Sequence, residues 1–209
     1  MFKLSAKNTF CVALDSRWPA MSDRLVKLGI PCTRWHAVTP EQLENHGPFE
    51  ERLNPSQRAC AASHMSLWKH VWQLGLSYAF IFEDDVLFSD DWRETLNVEE
   101  MPDDRYWDAF FLNVSEPTFP HDTWQKTTHQ WFTGAYIVSR LGLHTLIHSN
   151  ATLPEADLMT WNLQLKGHSY ARFPWPCVQE NKDSTTGTDT TANQQKLEQL
   201  LGPRLASYS

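Results

Sequence analysis

The chain has 209 residues, with 25 acidic against 18 basic side chains and a formal charge of −7 at pH 7. Its composition is 41% hydrophobic, 21% charged and 12% aromatic, with 10 tryptophans, which describes a globular chain able to bury a core without staples. The acidity excludes a nucleic-acid binder, which needs a basic face, and suits a protein that meets anionic partners through a bound cation.

In chain order, residues 9–14 (TFCVAL) read as a buried strand. A helix follows Asp15-Ser16-Arg17. Pro19 suits its first turn, Trp18, Met21, Leu25 and Leu28 recur at helical spacing, and Gly29 stops it. Residues 32–38 read as a second strand and 39–54 as a polar loop. Pro55 opens a helix over 56–75 whose apolar residues cover a broad face, which predicts deep burial. Residues 78–82 (YAFIF) carry the strongest strand pattern and run into Glu83-Asp84-Asp85, then Val86-Leu87-Phe88. Further strands are predicted at 108–113 and 135–139, helices near 140–148 and 155–166, and a last strand at 169–173. Residues 180–193, rich in Ser, Thr, Asn and Asp, read as a flexible loop or lid before a short amphipathic helix at 194–201.

The alternation predicts an α/β fold, a three-layer α/β/α sandwich around a mostly parallel sheet. Residues 1–179 form one domain, and the 180–209 tail belongs to it. Ligands of such sheets sit outside the carboxyl ends of the strands, which points to Asp15, Glu83-Asp84-Asp85 and Asn113. No segment is apolar enough to span a bilayer, and residues 1–10 lack the apolar run of a secretory signal. Cys11, Cys32, Cys60 and Cys177 form no C-x-x-C pair. The expected compartment is the cytoplasm, with contact at a membrane surface left open.

Three consecutive acids at a strand end repel one another unless a cation, water or helix terminus compensates. Carboxylate oxygens suit Mg²⁺ or Mn²⁺, and such an ion would neutralise charge on a diphosphate leaving group. The competing reading is an acidic turn that caps the next segment. Ser63 and His64 lie in the long helix, either near a donor pocket or supporting the acidic turn from behind. Cys60 shares a helix face with His64 and reads as a small buried residue. Trp68 and Trp72 read as core. Trp131, just before Gly134-Ala135, is the first tryptophan to test as a sugar-contacting ring.

Cys60-Ala-Ala-Ser63-His64 with Trp68, followed by a strand and Glu83-Asp84-Asp85-Val86, resembles the glycosyltransferase family 25 pattern of lipopolysaccharide and collagen galactosyltransferases. Leu14, Arg17, Met21, Gly29-Ile30 and Ala37-Val38 are similar to the family's start. Gly134-Ala135-Tyr136, the acidic motif from Leu153 to Asp157, and Gln179 with Ser184 resemble its later motifs. Ser56-Gln57 and Ala59 depart from the family's Gly-Glu and Gly.

The resemblance implies a Rossmann-like GT-A nucleotide-sugar fold and a metal-dependent, inverting transferase. It would move a hexose, galactose or glucose, from a UDP-sugar to a hydroxyl of a glycan or glycolipid, as in lipopolysaccharide biosynthesis. Asp84 and Asp85 would hold Mn²⁺ or Mg²⁺. Leu14, Asp15, Arg17, Ser63, His64, Glu83, Asp84, Gln179 and Ser184 would face the donor. Gly134 and Ala135 would face the acceptor, beside Trp131, placed there by its indole chemistry rather than by the resemblance. Asp157 would take the proton of the acceptor hydroxyl, with Glu155 as the alternate. Read without the resemblance, both are ordinary helix N-terminal acids. The alternatives are a metal-dependent phosphohydrolase or nucleotidyltransferase, and a non-catalytic sugar-binding module.

Overall fold

The computed structural model describes residues 2–96, 101–118, 122–128, 130–131, 133–149, 151–180 and 190–209, with backbone only at 190 and 193. Strand β1 (Thr9–Ala13) is buried along its whole length. Phe10 and Val12 point into one core and Cys11 and Ala13 into the other, as a period of two requires. Helix α1 (Trp18–Lys27) buries Met21 and Leu25 and ends ahead of Gly29, whose φ of 62 supplies the left-handed turn. Strand β2 (Thr33–His36) follows, and the expected polar loop contains a short 3₁₀ turn over Pro40–Asn45.

Helix α2 (Pro55–Gln73) starts at a capping box. Asn54 accepts from Gln57 N, and the Gln57 side chain accepts from Asn54 N. Its buried face runs from Ala59 to Val71 and includes Trp68, fully enclosed. Truncating such a tryptophan to alanine costs about 3–5 kcal/mol. Strand β3 (Tyr78–Glu83) repeats the two-sided pattern, with Ala79 and Ile81 against Phe80 and Phe82. The remaining elements are β4 (Val86–Phe88), β5 (Ala109–Phe111), β6 (Gln125–Lys126), β7 (Ala135–Ser139), α3 (Arg140–His148), α4 (Ala156–Gln164), β8 (Ser169–Ala171), β9 (Cys177–Gln179) and α5 (Thr190–Leu201).

The main sheet has seven strands in the order β2-β1-β3-β7-β5-β8-β6, and β4 pairs with β9 in a separate two-stranded sheet. Residues of α2, α3, α4 and α5 pack on one face, and α1 with the 86–96 segment on the other. The layered α/β expectation therefore holds. The expectation of a mostly parallel sheet does not, because the sheet is mixed. The pairs β1–β2, β1–β3 and β5–β8 are parallel, whereas β3–β7, β7–β5 and β8–β6 are antiparallel. A parallel neighbour needs a crossover, usually helical. Between β3 and β7 the described residues hold no α-helix; β5 re-enters the sheet in the direction of β3, and β6 and β7 run opposite to it. Gly142 lets α3 pack on the chain before β5. A Cβ there would lie 2.3 Å from the Asp108 carbonyl oxygen.

The tail is anchored at its described end. Leu201 and Tyr208 join the core, Tyr208 OH donates to Trp175 O, and Ser209 N donates to Phe88 O. The lid expected at 180–193 falls largely on 181–189, outside the described residues. No helix among the described residues is long and apolar enough to cross a membrane.

Candidate active site

The reversal of β7 builds the site. β1, β2, β3, β5 and β8 run in one direction, so their carboxyl ends share one edge of the sheet. The amino end of β7 meets them there. Glu83 N donates to Gly134 O at this junction. Glu83 closes β3, Asp84 and Asp85 form the turn to β4, and Gln179 closes β9.

Each acid of the triplet has a different environment. Glu83 Oε1 accepts from His64 Nε2 at 3.0 Å and from Thr133 Oγ1 at 2.6 Å, while Oε2 accepts from Gln179 Nε2 at 3.1 Å. Burial pushes its pKa up, but the His64 and Thr133 hydrogen bonds and the Arg17 charge outweigh burial and hold it below the usual value. Asp84 Oδ2 accepts from Leu14 N at 2.8 Å, and Arg17 Nη1 lies 3.2 Å from its Oδ1. Burial still leaves Asp84 raised. Asp85 has the long Gln179 contact at 3.5 Å. Burial, then Glu83 and Asp84, push it up to about 7.

His64 supports the triplet from behind. Trp68 Nε1 donates to Tyr136 OH at 2.8 Å, and His64 Nδ1 lies 3.1 Å from the same oxygen. In a neutral ring, Nε2–H donates to Glu83 and Nδ1 accepts from Tyr136. Cys60, His64 and Glu83 bring a sulfur, a ring nitrogen and a carboxylate oxygen within 4.8 Å of one another. Both His64 nitrogens are already engaged, and burial raises the Cys60 thiol well above its usual range. His64 therefore acts as a hydrogen-bonded buttress of Glu83. By donor type the all-oxygen pair Asp84 and Asp85 fits a hard divalent ion better; Leu14 N and Arg17 already engage both Asp84 oxygens, whereas Asp85 has only the long Gln179 contact.

Ser63 lies behind the surface. Its Oγ donates to Ala59 O and accepts from Val38 N, tying α2 to the end of β2. Leu14 and Asp15 line a cleft of ≈ 600 Å³ with His36, Val38, Thr39 and Gln42. Asp15 is exposed and paired with Arg34 and His36, and the Arg34 hydrogen bond lowers its pKa. Ser184 lies outside the described residues.

On the far side of Glu83, Thr133 Oγ1 also lies 3.0 Å from Asp157 Oδ1. Asp157 sits in the first turn of α4. Burial, then the Glu83 charge, raise it to about 6. Glu155, the N-cap of α4, instead accepts from Arg52 Nη1 and Gln57 Nε2, both at 3.1 Å. Gly134 and Ala135 are buried and present no side chain to solvent. A Cβ on Gly134 would lie 2.8 Å from Gln179 Cγ and 3.1 Å from Asn113 Oδ1. Asn113 Oδ1 is buried without a hydrogen-bond partner among the described residues. Trp131 is exposed and packs edge-on against Trp161.

Sequence reasoning missed Thr133, which the pattern gives no mark beyond its place before Gly134, and left Trp161 unsorted among the tryptophans of polar stretches, with Trp107, Trp124, Trp131 and Trp175, as a ring that could line an acceptor site.

Residues 9–130 match glycosyltransferase family 25, described as LPS biosynthesis protein. The lacto-N-neotetraose biosynthesis glycosyltransferase LgtB of Neisseria meningitidis serogroup B is 25% identical over 184 residues, covering 77% of this chain and 67% of LgtB. LgtE of the same organism is 28% identical over 180 residues, covering 73% and 63%. The lipooligosaccharide biosynthesis protein lic2B of Haemophilus influenzae is 26% identical over 151 residues, covering 63% and 56%. The chain thus spans about two thirds or less of the length of these relatives.

Proposed function

The chain belongs to glycosyltransferase family 25, and on that premise we propose that it transfers a hexose, galactose or glucose, from a UDP-sugar to a hydroxyl of a glycan or glycolipid. The transfer is inverting and metal-dependent, on a GT-A type fold, in the cytoplasm with peripheral contact at a membrane carrying the acceptor. Residues 1–179 make up the catalytic domain, with the 180–209 tail as part of it. The observation that carries the reading is the acidic turn Glu83-Asp84-Asp85. It stands at the shared strand edge between the cleft beside Leu14 and the carboxyl group of Asp157.

Asp84 and Asp85 would hold Mn²⁺ or Mg²⁺. That ion would supply charge neutralisation for the departing UDP. The remaining roles belong to the chain's own groups. The cleft lined by Leu14, Val38 and Thr39 takes the nucleoside end of the donor. Arg17 holds Asp84 in place and adds positive charge on the donor side. Gln179 and His64 fix Glu83. Asp157, raised to about 6, is ionised at neutral pH and still basic enough to accept a proton. It takes the acceptor hydroxyl proton as that oxygen bonds to the anomeric carbon and the bond to the UDP oxygen breaks, inverting the centre.

The test incubates the chain with UDP-galactose and UDP-glucose, a glycan acceptor and Mn²⁺, and measures UDP release and glycan mass. D85A is expected to lose roughly 100-fold or more, several kcal/mol of charge stabilisation. Full chelator-sensitive transfer by D85A would overturn the assignment. Phosphate release from plain nucleotides without sugar transfer would favour the hydrolase reading instead.

A further inference from the structure

The loop that enters β7 and the helix α4 are held together at three successive rungs. Gln164 Oε1 accepts from Gln130 N at 3.0 Å, and its Nε2 donates to Gln130 O at 2.9 Å. Trp161 meets Trp131 edge-to-face, ring centroids 4.4 Å apart at 78°. Asp157 Oδ1 meets Thr133 Oγ1 at 3.0 Å. Residues 157, 161 and 164 are spaced i, i+4 and i+7, so they share one face of α4. Gln164 is completely buried, whereas Trp131 is 37% exposed. Trp131 N also donates to Ser115 Oγ at 3.1 Å, so its backbone is held from a second side. The rigid, partly open indole pair therefore lies about one helical turn, roughly 6 Å along the axis, from the carboxyl group of Asp157.

We propose that Trp131, braced edge-to-face by Trp161, is the platform on which a pyranose ring of the acceptor lies, with one of its hydroxyls presented to Asp157. The platform rests on the transferase reading above and specifies its acceptor side. A pyranose has a face of C–H groups and a rim of hydroxyls. The C–H face suits an indole and the rim suits a carboxylate. One helical turn along α4 separates the two positions, a spacing on the order of one sugar residue. Because the backbone is already fixed by Gln164 and Ser115, ordering the platform costs little on binding.

Saturation-transfer NMR with methyl β-glucopyranoside and methyl β-galactopyranoside tests this on the full chain, with UDP and diamagnetic Mg²⁺ present. Transfer is expected to the C–H protons of one ring face of at least one glycoside, and not to acyclic sorbitol. W131A should weaken that binding by roughly threefold to tenfold, the range of one aromatic contact. W131F keeps a ring and should restore most of it. Absence of transfer to both glycosides from the wild type would overturn the platform. So would unchanged affinity in a W131A variant that melts at the wild-type temperature. The readout is binding, not turnover. Glycoside binding by a chain that turns over no UDP-sugar would sink the transferase reading and leave the platform standing. Sugar transfer with unaltered acceptor affinity in W131A would do the reverse.

Discussion

Replacing Asp157 with asparagine separates a functional strain from a structural contact. Thr133 has one hydroxyl proton and faces two carboxylates, Glu83 Oε1 at 2.6 Å and Asp157 Oδ1 at 3.0 Å. It can donate to one at a time. When Asp157 is protonated the set closes, with Asp157 donating to Thr133 and Thr133 donating to Glu83. When Asp157 is ionised, one contact is between an acceptor and a lone pair, and two half-buried negative charges face each other. Burial, then the Glu83 charge, outweigh the Thr133 hydrogen bond, which favours the ionised form, so the carboxyl group stays protonated up to about 6, against 3.8 for the free side chain.

The sign follows from linkage. Between about pH 4 and 6 the folded state binds more protons than the unfolded chain, so stability falls as pH rises through that window and then levels off. The full difference is about 3 kcal/mol at one pH unit per 1.36 kcal/mol. An asparagine is never charged and can still bond to Thr133. D157N is therefore expected to be more stable than the wild type by about 2–3 kcal/mol near pH 7.5, and by roughly half of that near pH 5, while losing transfer. Urea unfolding at both pH values measures it, with equal m-values checking that both variants unfold alike. A D157N protein that is less stable near pH 7.5, or whose gain is the same at both pH values, refutes the reasoning.

G134A should push Gln179 aside, release its bond to Glu83 and cost about 1–3 kcal/mol with a drop in transfer. Unchanged urea midpoint and turnover would show that Gln179 has another seat. Q57E keeps the cap on Asn54 but turns the donor to Glu155 into a second carboxylate, at a cost of about 1–2 kcal/mol in thermal or urea unfolding. A variant within a few tenths of wild type would mean that Glu155 does not need that donor. Asp85, raised to about 7, competes with a proton for any cation, so Mn²⁺ should raise Tm more near pH 8 than near pH 6. The same increase in D85N would place the ion elsewhere.

The elements with continuous apolar runs were legible before folding. The predicted strand at 135–139 and helix at 140–148 coincide with β7 and α3. What could not be read was the direction of β7. A strand buried on every side chain carries the same pattern in either orientation, so sequence fixes its place in the chain and not its polarity. Strands β6 and β9 have two and three residues, too short for any periodicity. β9 exists because Cys177–Gln179 pairs with Val86–Phe88 across ninety residues of chain. The anchoring of the tail by Tyr208 and Ser209 is equally non-local.

The candidate site divides along the same line. Its acidic half stood out as a candidate because three carboxylates after a run of buried apolar residues repel one another unless a cation, water or helix terminus compensates. His64 stood open between pocket and support until Tyr136, 72 residues away, took its second nitrogen. The other half depends on the unread reversal. Were β7 parallel to β3, its amino end and the residues before it would lie at the opposite edge of the sheet, far from Glu83. Running antiparallel, it delivers Thr133 to Glu83 and to Asp157, and Trp131 to Trp161. The strand polarity that the sequence hides is thus what joins the acids to the tryptophans. On the proposed reading, donor chemistry and acceptor choice sit on separate segments, the acidic turn on β3 and the loop held against α4. That reading expects substitutions in the loop ladder to alter which sugar is accepted without touching the acids that would hold the ion.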